Sequence, residues 1–131
     1  MTSTDTGTAY IPGVCNINHM EIARRRRIGY IGTVVFVVLV GLLVWLHADW
    51  PWKLLSFVPS YMAASGYLQA KHKFCSGYGS SGRQNAQDGS TEAHEVKDKA
   101  AIDKDKRRSR QINIQALGVA LVAVLVVLLI P

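Results

Sequence analysis

No charged side chain occurs between Ile28 and Ala48, and none between Ile112 and Ile130. Each gap approaches the roughly 20 residues that cross about 30 Å of hydrocarbon, which excludes an ordinary soluble domain with polar positions interleaved at helical or strand period. Other chemistry is sparse as well. The chain has two cysteines and four histidines, with no Ser/His/Asp set, no phosphate-binding loop and no haem-attachment CxxCH. The segments outside the apolar runs, about 27 residues in front and about 40 between, are too short for a separately folded catalytic core. These absences point away from an enzyme.

What is present is 131 residues, 49% hydrophobic, with a formal net charge of +6. Ile31 to Leu46 holds 12 residues of Ile, Val, Leu and Phe, and Ile112 to Ile130 holds 13. At about −0.3 to −0.6 kcal/mol each near the bilayer centre, the first run gains roughly −4 to −7 kcal/mol on insertion. Both runs should insert unaided. The segment Leu54 to Ala70 is marginal, with five of its 17 residues Leu, Val or Phe and with Ser56, Pro59, Ser60, Ser65 and Gln69 opposing insertion. It either crosses or forms a re-entrant or interfacial hairpin. Charge placement favours crossing. Without it, residues 49–111 would carry 11 Lys and Arg to the face opposite Arg24–Arg27; with it, 14 of 15 bases share one face and Lys53 alone takes the other.

The expected fold is therefore all-α and integral to a membrane, with three transmembrane helices, the amino terminus cytoplasmic and the carboxyl terminus outside. The boundaries are a cytoplasmic segment 1–27 with a Cys motif and an Arg block, a first span 28–48, an outer turn 49–53 and a second span 54–70. A Cys motif and Gly/Ser linker follow over 71–90, then a charged cytoplasmic helix 91–111 continuous with a last span 112–131. The linker reading rests on four Gly and four Ser between Ser76 and Ser90. The helix reading rests on Glu95/Lys99 and Asp103/Arg107 at i,i+4. Trp45, Trp50 and Trp52 would form an aromatic belt, with Pro51 starting the second helix. Ser60-x3-Ala64 and Gly66-x3-Ala70, and more weakly Ala116-x3-Ala120, are small-residue pairs suited to close helix packing.

Two blocks of bases flank the spans: Arg24, Arg25, Arg26 and Arg27, and Lys104, Lys106, Arg107, Arg108 and Arg110. They are candidate contacts for anionic lipid or for a protein partner. Nucleic-acid binding is not expected, because acids alternate with bases and no aromatic platform is interleaved.

Cys15-x3-His19 and His72-x2-Cys75 lie on the same expected face, and two thiols with two imidazoles are a tetrahedral zinc set in kind. The alternatives are a dithiol pair and two packed thiols. Asn18-x2-Glu21 has the form of a capping box starting a helix near His19. If that helix ran straight into the first span, Cys15 would lie about 15–20 Å from a Cys75 held at the membrane. Glu21 and Asp49 fall on opposite faces, so no carboxylate pair forms.

The pieces GVCNI (13–17), EIARRRR (21–27) and LQAKHKFCSGYG (68–79), with the basic stretch before the last helix, resemble a family of small bacterial three-span membrane proteins of unassigned function. Matching positions are Cys15, Asn16, Glu21, Ile22, Arg24, Phe74, Cys75 and Gly77; neither His19 nor His72 belongs to the pattern. The resemblance implies a multi-pass inner (plasma) membrane location and supplies no activity. The leading expectation is a non-catalytic accessory or scaffold subunit of an inner-membrane assembly, in contact with lipids and a protein partner, with a homo-oligomer possible. The rival is a cytoplasmic-face thiol or zinc site.

Overall fold

The computed structural model describes residues 9–87, 89–90 and 92–131. Asn18 is extended, and its side-chain oxygen accepts from the Glu21 backbone N–H at 3.0 Å, satisfying one of the free donors that begin a helix. From that cap α1 runs without interruption from His19–Trp45. A turn with His47 in the left-handed region leads to α2 (Trp50–Lys53), with Pro51 in its first turn, a 3-10 turn (Leu54–Ser56) and α3 (Phe57–His72). The backbone stays right-handed helical through Lys53, Leu54, Ser56 and Phe57, so Trp50 to His72 is one helical course. The tightened turn precedes Pro59, whose ring removes the N–H that would bond one turn back.

α3 lies antiparallel against α1. Side chains are absent where the two cross: a Cβ on Gly66 would sit 2.6 Å from the Gly29 nitrogen, and one on Gly32 would sit 2.7 Å from the Ala63 nitrogen. Ser60, Ala64, Gly66 and Ala70 are all buried, and the two backbones meet as small residues permit in lipid. On its other flank α3 packs against α5 (Lys99–Leu129). One stripe of α5 is buried from end to end: Ala101, Asp105, Ser109, Ile112, Ala116, Ala120, Val124 and Val127. At the far end Lys53, 8% exposed, donates its Nζ to the Ile130 carbonyl, placing a cation on the negative end of the α5 dipole.

α1 and α5 are each long and apolar enough to cross a membrane. In their most apolar 18 residues only 17% and 28%, respectively, are buried, whereas the core helix of a soluble protein is mostly buried. Large apolar side chains such as Val34, Val38, Leu121 and Leu125 point outward, while Gly29, Gly32, Ala64, Ala116 and Ala120 are buried together with Leu43, Ile112, Val124 and Val127. Trp45, Trp50 and Trp52 are exposed at the Lys53 end.

The other end departs from the sequence expectation. The stretch read as a Gly/Ser linker contains α4 (Ser76–Ser81) and β1 (Arg83–Gln84), which pairs antiparallel with β2 (His94–Glu95) through Arg83↔Glu95 and Gln84↔His94. Close packing explains α4: a Cβ on Gly79 would collide with Ser109 Oγ and the Phe74 ring. The charged helix expected over 91–111 begins at Lys99, where Asp98 caps it by accepting from the Ala100 N–H at 3.2 Å. Glu95 is therefore in a strand and forms no helical pair with Lys99. The expected start of that helix at Thr91, like residues 1–8 of the amino-terminal segment, lies outside the described residues. The outer turn 49–53 is largely the short helix α2.

Candidate functional site

The polar end of the molecule is assembled around Asn16. Its N–H donates to the Lys73 carbonyl at 3.1 Å, and its carbonyl accepts from the Asn85 N–H at 2.7 Å. Its carboxamide grips Cys75 from both sides: Oδ1 accepts from the Cys75 N–H at 2.6 Å and Nδ2 donates to the Cys75 carbonyl at 3.1 Å. Asn16 is fully buried, so these bonds replace all water at that backbone. Cys75 is delivered there by the end of α3. Lys73 adopts a left-handed conformation, Phe74 N–H donates back to Gln69 O at 3.0 Å, and the chain turns sharply with Phe74 fully buried.

Asn18 ties a second loop. Its Nδ2 donates to the carbonyls of Gln87 (2.9 Å) and Ser90 (3.0 Å), while Asn85 Nδ2 also donates to Ser90 O at 3.1 Å. Glu21 is buried and accepts from Tyr78 Oη at 2.9 Å, with Arg24 at 3.2 Å and Arg25 at 3.8 Å. Burial first, then the hydrogen bond to the Glu21 carboxylate, push the Tyr78 phenol above its ordinary value. Arg25 also donates to Cys75 Sγ at 3.1 Å. This corner opens on a groove of about 490 Å³ between α1 and α3, bordered by Ile28, Met62, Gln69 and Cys75.

The segment before α1 is fastened to α5. Asp105 is fully buried and accepts from Tyr10 Oη at 2.6 Å and from the Gly13 N–H at 2.7 Å. Arg108 Nε donates to the Gly13 carbonyl at 2.9 Å. Desolvation and the Asp105 carboxylate raise the Tyr10 phenol strongly. The basic stretch before the last apolar run is thus docked on one side and exposed on the other.

The four candidate zinc ligands are dispersed in kind. Cys15 is buried, with its thiol donating to Ile17 O at 3.5 Å, whereas His19 is exposed on the first turn of α1. His72 ends α3, and Cys75 packs with Ile17, Ile22 and Ala70. Among the described residues no group of three or more His, Cys, Asp or Glu side chains converges as metal ligands would. The Cys15 and Cys75 segments nevertheless meet, through Asn16, with α1 uninterrupted from His19 to Trp45. α3 continues as helix past the apolar stretch to His72 and so reaches the start of α1.

Of the arginine block, Arg25 turns inward, its side chain 14% exposed, and is committed to Glu21 and Cys75 rather than to lipid. Arg24, Arg26 and Arg27 are exposed. In the second block Lys104, Lys106, Arg107 and Arg110 are exposed and Arg108 is half-buried. Sequence reasoning missed Asn85, Asp105, Tyr10, Tyr78 and Ser109. An acid at helical spacing with Ala101, Ser109, Ile112 and Ala116 is the one signal that would have flagged Asp105. Comparison with known proteins brings no match: no family model fits the chain, and no curated protein or solved structure is significantly similar to it.

Proposed function

We propose that this chain is a multi-pass protein of the bacterial inner membrane that crosses three times with its polar end cytoplasmic, and that it serves as a non-catalytic accessory or scaffold subunit of a membrane assembly. The observation that carries the reading is the outward display of large apolar side chains along α1 and α5, two helices long and apolar enough to cross a membrane. The course Trp50 to His72, at about 1.5 Å per residue, is roughly 35 Å long and supports a third crossing. The bases support the orientation: all except Lys53 lie at the Asn16 end. The resemblance of the two Cys motifs to three-span proteins agrees with this layout.

A scaffold role fits the use made of the polar groups. Asn16, Asn18, Glu21, Arg25 and Asp105 are consumed in fastening the segments together, leaving Arg24, Arg26, Arg27, Lys104 and Arg107 as an exposed cationic surface. Flotation with liposomes followed by crosslinking in native membranes and mild-detergent purification tests both parts. Co-flotation and a reproducible crosslinked partner are expected. Sedimentation away from lipid overturns the membrane reading, and a monodisperse monomer without crosslinks overturns the scaffold reading.

A second reading, favoured by the Arg25 contact to Cys75 Sγ, places thiol chemistry at Cys75. Thiol counts and zinc content of wild type, Cys15→Ser and Cys75→Ser, before and after mild oxidation, separate the two. Zinc or an oxidation product lost in Cys75→Ser supports thiol chemistry; two unreactive, metal-free thiols overturn it.

A further inference from the structure

A groove of about 450 Å³ runs between α3, α4 and α5 and changes character along its length. On α5 it is lined in order by Lys106, Ser109, Arg110, Asn113, Ile114 and Leu117, one face of the helix at i, i+3/i+4 spacing. Eleven residues of rise carry the lining about 16 Å from two cations, past a carboxamide, to aliphatic side chains. Tyr61 of α3 faces the apolar half.

Two independent features mark the polar half as a place for an anion. Lys106 and Arg110 form no ion pair with any described acid, and no Asp or Glu lines the groove. Ser109, 2% exposed, is among its lining residues, and its hydroxyl, packed against Gly79, has no hydrogen-bond partner among the described residues. A buried hydroxyl left unpaired costs about 1–3 kcal/mol, and a ligand oxygen at the groove would remove that cost. The hydroxyl occupies the space that a Cβ on Gly79 would fill, next to Ser80 of the groove wall.

We infer that this groove binds one anionic phospholipid, with the phosphate between Lys106 and Arg110, the glycerol region at Ser109 and Asn113, and an acyl chain against Tyr61, Ile114 and Leu117. The inference rests on the membrane reading above. At that depth the two cations stand where the headgroup layer meets hydrocarbon, and each base near such a surface attracts anionic lipid. The apolar half selects an amphiphile over a free phosphate.

The test uses the full chain, purified in mild detergent and stripped of lipid. Flotation with phosphatidylcholine vesicles comes first, because a chain that fails to float overturns the membrane reading separately. Native mass spectrometry then follows titration with phosphatidylglycerol or phosphatidylcholine. One phosphatidylglycerol should be retained at least about tenfold more tightly than phosphatidylcholine. Lys106→Ala/Arg110→Ala should abolish that preference. Lys97→Ala/Lys99→Ala, which removes equal charge from exposed positions at the start of α5, should change it less than about twofold. Ser109→Ala, a conservative change at the buried hydroxyl, should weaken retention while the thermal midpoint holds or rises. Equal losses in the two double variants overturn the proposal, as does displacement of the lipid by millimolar glycerol phosphate. Retention without headgroup preference overturns it too.

Discussion

Asn16 holds the polar end together because a single buried carboxamide satisfies both backbone groups of Cys75. Asn16→Ala strands the buried Cys75 N–H at about 1–3 kcal/mol, while the Cys75 carbonyl keeps the Gly79 N–H at 3.0 Å. We expect a loss of about 1–3 kcal/mol in denaturant unfolding in detergent, with faster maleimide alkylation of Cys75, which is 6% exposed in the intact protein. Unchanged stability and labelling would show that the clamp does not form. Tyr78 sets a pH dependence at the same corner. Its folded-state pKa is raised, by burial and then by the bond to Glu21, so the fold favours the protonated phenol. That contribution is complete below the ordinary value of about 10 and is lost as pH rises through the elevated one. Wild type should therefore lose thermal stability from about pH 10 upward. Tyr78→Phe should start lower by about 1–2 kcal/mol at neutral pH and fall less steeply; parallel alkaline curves would exclude Tyr78 as the titrating group. None of this pairing was visible in the sequence beyond Asn18 and Glu21. Their spacing announces the cap, yet Glu21 spends its carboxylate on Tyr78 and Arg24 instead of reaching back to complete a box.

Helices α1 and α3 meet through missing side chains, so substitution at their crossing is felt as overpacking. A methyl on Gly66 would lie 2.6 Å from the Gly29 nitrogen and 2.7 Å from the Arg25 carbonyl, and neither backbone atom can swing aside. Gly66→Ala should cost about 2–3 kcal/mol or abolish the packed state. Gly41→Ala, with open space around its Cβ position, should be neutral or stabilising by up to about 1 kcal/mol through helix propensity. Thermal melts of the two variants in one detergent check the contrast, and equal effects would mean that the helices do not cross at Gly66. The elements themselves were legible to different degrees. Long aliphatic runs announced the cores of α1 and α5, because length and absence of charge are local properties. The small-residue pairs in residues 54–70 announced a packing face, and Ser60, Ala64, Gly66 and Ala70 are buried as that pattern implies. The stretch 76–90 was misleading because glycine and serine report conformational freedom only where nothing constrains them. At Gly79 the lack of a Cβ serves close packing against Phe74 and Ser109, a tertiary property without local period. Likewise Glu95 and Lys99 have helical spacing, but strand pairing with Arg83 takes Glu95 out of the helix.

At the scale of the whole molecule, three helical courses of comparable reach run alternately up and down, and the Lys and Arg side chains gather at one end. Lys53 is the exception, and it is tethered to the Ile130 carbonyl just past α5, so the two ends differ in charge as well as in structure. A membrane whose cytoplasmic side retains bases would fix this molecule in one orientation, with the Asn16 end inside. Asp49, between α1 and α2, and Lys97, just before α5, are both exposed and sit at opposite ends. Single Asp49→Cys and Lys97→Cys changes therefore report the crossing of α3 directly, against native cysteines that are buried. In spheroplasts a membrane-impermeant maleimide should label Asp49→Cys at once and Lys97→Cys only after permeabilisation. Labelling of both, or of neither, before permeabilisation would put the two sites on one face and make Leu54 to Ala70 a re-entrant segment. Labelling of Lys97→Cys alone would keep three crossings but reverse them, setting 14 bases outside and removing charge as the determinant of orientation.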